Sequence, residues 1–238
     1  MQPYNLYFYK MKNRKAKLDK LTLMVPISVL VVIWGVYFIE INYGFNFNKY
    51  GIYPKTLKGL RGILFSPFIH GSVSHIFNNS IPLAVMLGSL YFFYKKIATK
   101  VLVIGILLTG FLTWTFARPA YHIGASGVVY FLVSFVFFSG IIRKQYRLIA
   151  LSLAVVFLYG SMIWYVFPVE DSISWEGHLS GFLVGLIFAY IFRKRGPQPE
   201  EFIFSKNETF ENQFDEHGNF NPSTENLEED KQKSTLEK

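Results

Sequence analysis

The chain contains no cysteine among its 238 residues. A disulfide framework, a thiolate nucleophile and any Cys-ligated metal or iron–sulfur centre are therefore excluded. Charge is also scarce, at 17% of residues against about 25% in an ordinary soluble chain. Apolar residues make up 51% and aromatic ones 18%. This composition argues against disorder throughout, a coiled coil or a collagen-like fibre, and leaves a membrane protein or an unusually apolar core.

The net charge of +8 divides unevenly. From Pro197 to Lys238 there are 11 acidic and 4 basic residues, whereas residues 1–196 hold 20 basic and 5 acidic ones. The acidic end, opening Gly-Pro-Gln-Pro and rich in Asn, Glu, Ser and Lys, cannot bury enough surface to order itself. It reads as a solvated tail over 196–238 with no identifiable partner, in which Phe202, Phe204, Phe210, Phe214 and Phe220 are candidate docking points.

A membrane-crossing helix needs about 20 mostly apolar residues. Six stretches meet or approach this: 22–41, 76–94, 98–116, 124–142, 148–167 and 178–192, the last short unless it borrows Ile173 to Gly177. The expected organisation is a basic leader over 1–21, a six-span domain over 22–195 and the acidic tail. The first apolar run is longer than the roughly 7 to 15 residues of a cleavable signal core, and no small-x-small site follows, so a retained span is expected. Fifteen Lys and Arg fall at one set of span ends and five, Lys49, Lys55, Lys58, Arg61 and Arg118, at the other. Positive charge stays in the cytoplasm, which puts both termini there.

Polar side chains at membrane depth are costly, and each is a candidate for function. Apart from His217 in the tail, the histidines, His70, His75, His122 and His178, map near the outer ends of spans. His75 and Asn79 are four residues apart and so share a helical face, where both can donate to a common point. Ser126, within Gly124-Ala-Ser126-Gly127, falls in a first helical turn, whose free amides and dipole favour an oxyanion. In the sixth span Gly181 and Gly185 follow His178 at i+3 and i+7, a smooth stripe that suits packing on the small residues of the fourth. That packing sets His178 beside Ser126, with Tyr130 one turn below. Taken alone, Ser126 or a single polar residue of the His75–Asn79 face reads more readily as a helix cap or packing contact, and His178 is as readily a packing contact as a base. Together they supply a nucleophile, a base and oxyanion donors. No acidic residue falls inside the spans, since Glu40 ends the first and Glu170, Asp171 and Glu176 lie in an outer loop. A Ser-His dyad is the chemistry available.

These residues resemble the rhomboid family of intramembrane serine proteases. The likeness rests on His70-x4-His75-x3-Asn79, Gly124-x-Ser126-Gly127 and His178-x2-Gly181-x3-Gly185, on spans two, four and six. It implies an all-α six-span bundle with span four central and starting below the outer surface, a water-filled cavity over Ser126, Ser126 as nucleophile and His178 as general base. It further implies an oxyanion hole from His75, Asn79 and the Ser126 amide, support from Tyr130, no cofactor or metal, and single-span membrane proteins as substrates, cut near the outer end of their transmembrane helix. A multi-pass location in the bacterial inner membrane follows, with the lipid bilayer and not nucleic acid as surroundings. Two departures stand out: Leu60-Arg61 replaces a Trp-Arg pair in the 42–75 connection, and Gly177 stands where alanine commonly precedes the histidine. The competing readings are an inactive rhomboid-like client binder and a small transporter or haem bundle using His75 and His178 as ligands. A metalloprotease is disfavoured because the His-x4-His spacing lacks the Glu of His-Glu-x-x-His.

Overall fold

A computed structural model describes residues 19–159, 164–170, 172–198 and 212–220. Of the described residues, 19–159, 164–170 and 172–198 belong to one compact unit and 212–220 to a second. The first unit contains eight α-helices among its described residues: α1 (Lys20–Tyr43), the single turns α2 (Leu57–Leu60) and α3 (Gly62–Phe65), then α4 (Val73–Phe93), α5 (Ala98–Phe116), α6 (Ser126–Ile142), α7 (Tyr146–Leu158) and α8 (Trp175–Ile191). No β-strand occurs among the described residues, and Ile52 and His122 meet in an isolated antiparallel bridge.

The helices form because a long apolar run in lipid can satisfy its backbone only within itself, and side-chain caps start α1 and α4. Asp19 accepts from the Leu21 N–H at the head of α1, and Ser72 accepts from the His75 N–H at the head of α4. Burial separates centre from rim. Eleven of the 17 residues of α6 are buried against three of 24 in α1. Correspondingly α6 packs on α4, α5, α7 and α8, whereas α1 leans on α4, where Trp34 donates its indole N–H to Ser80 Oγ at 3.0 Å. The core around α6 is aromatic: the rings of Phe131 and Phe188 meet edge to face at 5.5 Å.

The outer surface of the bundle is apolar, with Val31 66% and Phe38 64% exposed on α1 and Ile187 51% exposed on α8. Such a coat is untenable in water but expected against lipid. The protein is an α-helical membrane protein.

The helices depart from the sequence expectation at their ends. α1, α4 and α5 are long and apolar enough to cross a membrane; α6, α7 and α8 have 17, 13 and 17 residues. The fourth begins at Ser126 and not at 124, because Gly124 has φ +102°, a conformation no helix admits. The fifth stops at Leu158, well before 167, and Trp164–Val166 form a separate 3-10 turn. The sixth begins at Trp175. Apolarity marks which residues lipid tolerates, but backbone dihedrals decide where a helix can start.

The connection over 44–72 is built against the rest of the unit. Ile52 and His122 exchange two backbone hydrogen bonds, at 2.8 and 3.0 Å, and Trp114 donates its indole N–H to the Thr56 carbonyl at 2.9 Å. Arg61, in place of the Trp-Arg pair, stacks on Tyr50 at 4.6 Å and donates to the Lys49 carbonyl. In the second unit, Phe214 and Phe220 bridge across a turn that includes exposed His217. Phe202, Phe204 and Phe210, like the basic leader before Asp19, lie outside the described residues.

Candidate active site

The site is assembled by the packing of α6 on α8. A Cβ on Gly181 would lie 2.1 Å from the Gly127 carbonyl oxygen, and one on Gly185 would lie 2.4 Å from that of Phe131. Only hydrogen at these positions lets the two backbones approach so closely. The N-terminal ends of both helices are thereby set side by side, and the His178 Nε2 lies 2.8 Å from Ser126 Oγ.

The tautomer follows from the other ring nitrogen. His178 Nδ1 is 2.8 Å from the Tyr165 carbonyl, an acceptor only, so Nδ1 carries the proton and donates it. Nε2 is then left with its lone pair toward the serine hydroxyl. Tyr130 holds the ring in its plane, stacked at 4.2 Å between centroids and 13° between planes. His178 is buried and Ser126 half-buried. A neutral imidazole accepting from a serine hydroxyl can take the proton as the oxygen attacks a carbonyl.

His75 and Asn79 converge on Gly124, two residues before Ser126. A Cβ on Gly124 would fall 2.5 Å from His75 Nε2 and in ordinary contact with Asn79 Nδ2 at 3.6 Å, so this glycine leaves room for the His75 ring. Asn79 donates one amide hydrogen to the His75 carbonyl at 3.1 Å, and its second remains for another acceptor. Ser126 opens α6, where a backbone N–H has no intrahelical partner. His70 stands behind the loop: its buried Nε2 accepts the Ala125 N–H at 3.4 Å, and its ring lies 5.0 Å from that of His75. Burial, and then the neighbouring His75, pull the His70 pKa down to about 4, which keeps it an acceptor.

A cavity of about 40 Å³ adjoins Ser126, lined among others by Thr109, Thr113, His122 and Ser174. It has room and polar groups for water, and Thr109 Oγ1 is buried there with no protein partner. His122 both lines this cavity and donates from Nε2 to the Arg118 carbonyl at 3.1 Å.

Two contributors escape a reading of spacing. The Tyr165 carbonyl is a backbone group with no side-chain signature. Glu176 reads as an outer-loop acid, but it lies in the first turn of α8, 1% exposed, paired with Arg118. Its position two residues before His178 was the available signal.

An apolar helical membrane bundle with a serine and a histidine hydrogen-bonded across two packed helices defines a recognisable class. The rhomboid-domain family model matches residues 58–195, and the chain belongs to the rhomboid family. It is similar, at 34% identity over 152 residues, to uncharacterized proteins of Mycobacterium tuberculosis and Mycobacterium bovis, with 59% of this chain and 62% of each relative covered. An uncharacterized protein of Mycobacterium leprae is 31% identical over 144 residues, 56% of each chain. The chain thus spans less than two thirds of the length of the curated relatives it matches.

Proposed function

We propose that the protein is an intramembrane serine endopeptidase that hydrolyses peptide bonds in or near the transmembrane segment of single-span membrane proteins. The observation that carries this reading is the Ser126–His178 hydrogen bond, with the imidazole tautomer set by the Tyr165 carbonyl. Ser126 Oγ attacks the scissile carbonyl carbon while His178 Nε2 takes its proton, then returns it to the departing amine. Water next attacks the acyl-enzyme with His178 again as base, releasing the second product and the free serine. The Ser126 N–H, His75 and Asn79 stabilise the oxyanion, and Tyr130 supports the base.

Helices α1 and α4 to α8 act as the spans of this enzyme, with α6 and α8 short because the site at their first turns opens below the membrane surface. Both termini face the cytoplasm of a bacterial inner membrane, in keeping with the distribution of Lys and Arg. The haem reading is weakened because both nitrogens of His178 already have partners. An inactive client binder does not need so complete a dyad.

A serine-reactive fluorophosphonate is expected to label the wild-type protein in detergent and to leave Ser126→Ala unlabelled; equal labelling of the two sinks the dyad. Asn79→Ala is expected to lower kcat for a single-span substrate by about 3 kcal/mol of transition-state stabilisation, on the scale of one oxyanion donor. Unchanged turnover would assign Asn79 to packing.

A further inference from the structure

Glu176 is the one acidic residue among the buried polar side chains of the described chain, and the dyad makes no use of it. Burying a carboxylate is costly unless it is paired and hydrogen-bonded. Its Oε1 accepts the Arg118 backbone N–H at 3.2 Å and lies 3.7 Å from Arg118 Nε. The same guanidinium donates to the Ile173 carbonyl at 2.6 Å. A second rung runs beside it. His122 Nε2 donates to the Arg118 carbonyl, so Nδ1 is the acceptor, and the Ser174 hydroxyl donates to it at 2.6 Å.

Both rungs join the same two pieces of chain. One is the loop from Ala117 to Ala125, which has no helical ladder of its own and delivers Ser126. The other is residues 173–176, which lead into the first turn of α8 and deliver His178. The bonds of Gly124 to the Ser66 carbonyl and of His122 to Ile52 tie the nucleophile's loop to the 44–72 connection. The Arg118–Glu176 and His122–Ser174 rungs tie it to the base's own helix. Above the site these polar rungs set the spacing of the two chains, as the Gly127–Gly181 contact does below it.

We propose that Glu176 is a positioning residue, whose carboxylate, locked to Arg118, holds the first turn of α8 in register with the loop that presents Ser126. It acts through the geometry of the dyad and touches neither substrate nor reacting atoms. The inference rests on the protease reading. A displacement of about 1 Å between reacting groups costs on the order of a hundredfold in rate, so losing the latch acts on turnover rather than on substrate binding.

The test compares Glu176→Ala, Glu176→Gln and Arg143→Ala with the wild type in detergent. Arg143 is a buried clamp at the opposite end of α8, donating to the Phe192, Arg193 and Arg195 carbonyls and to the Tyr94 hydroxyl. Glu176→Ala is expected to lower kcat ten- to a hundredfold with KM within twofold, and to slow fluorophosphonate labelling of Ser126 in proportion. Glu176→Gln keeps an acceptor for the Arg118 N–H and is expected to recover at least a third of wild-type turnover. Arg143→Ala is expected to lower the thermal midpoint while the labelling rate of the folded fraction stays at the wild-type value. If Glu176→Ala loses thermal stability as Arg143→Ala does but labels at the wild-type rate, the positioning role is overturned. If Glu176→Gln is as slow as Glu176→Ala, a geometric latch is overturned in favour of a need for the charge itself. Failure of the wild type to label or cleave is a separate outcome, which overturns the protease reading and this inference with it.

Discussion

Replacing His178 with alanine is expected to lower kcat/KM for a single-span substrate by at least about a thousandfold, roughly 4 kcal/mol at the transition state. A serine hydroxyl is a weak nucleophile until a base takes its proton as the bond forms. On the proposed protease reading that base is His178, whose Nε2 lies 2.8 Å from Ser126 Oγ. The dyad has no carboxylate to orient the imidazole, so the Tyr165 carbonyl and the Tyr130 ring do that work, and both act through His178 alone. Their contribution therefore disappears with the ring. Two residues that act as one unit are also expected to be non-additive, so Ser126→Ala with His178→Ala should be no slower than the slower single variant. Turnover and fluorophosphonate labelling, measured on the same preparations, check both points. More than a tenth of wild-type activity in His178→Ala would assign the base to another group.

The parts of this arrangement that follow from helical period were legible in the sequence. A spacing of four sets His75 and Asn79 on one face, a spacing of four sets Tyr130 under Ser126, and the glycines after His178 form a stripe that needs a close partner. The parts that depend on backbone dihedrals or on contacts between distant segments were not. Nothing in the composition of 124–142 reveals that Gly124 adopts φ +102° and delays the helix to Ser126. In the apolar run over 148–167, Gly160 is the one stop signal near the end of α7 at Leu158, and the apolar residues that follow it mask it. Glu176 and Arg118 are 58 residues apart, and a charge in a loop is most often a solvated one; their pairing exists only once α8 is laid against the end of α5. The sequence gives His122 no role for the same reason, since two of its partners, Ile52 and Ser174, come from distant segments.

Gly181→Leu is expected to destabilise the protein by about 3 kcal/mol or more and to abolish labelling of Ser126, because overpacking here cannot be relieved by side chains. A Cβ at this position would meet the Gly127 carbonyl oxygen at 2.1 Å and the Phe131 backbone nitrogen at 2.9 Å. Both atoms belong to the hydrogen-bonded backbone of α6, so the clash is removed only by parting the two helices. Gly181 is one turn below His178 and Gly127 immediately follows Ser126, which places the wedge directly under the dyad. A separation of even 1 Å stretches the Ser126–His178 hydrogen bond beyond its working range. Gly181→Ala carries the same Cβ without the branch and is expected to show the same defects in weaker form. Ile187→Leu, on the exposed face of the same helix, is expected to change neither property. Thermal unfolding in detergent alongside the labelling rate separates the outcomes. If Gly181→Leu kept the wild-type midpoint and labelled normally, the close contact of α6 with α8 could not be what holds the serine against the histidine.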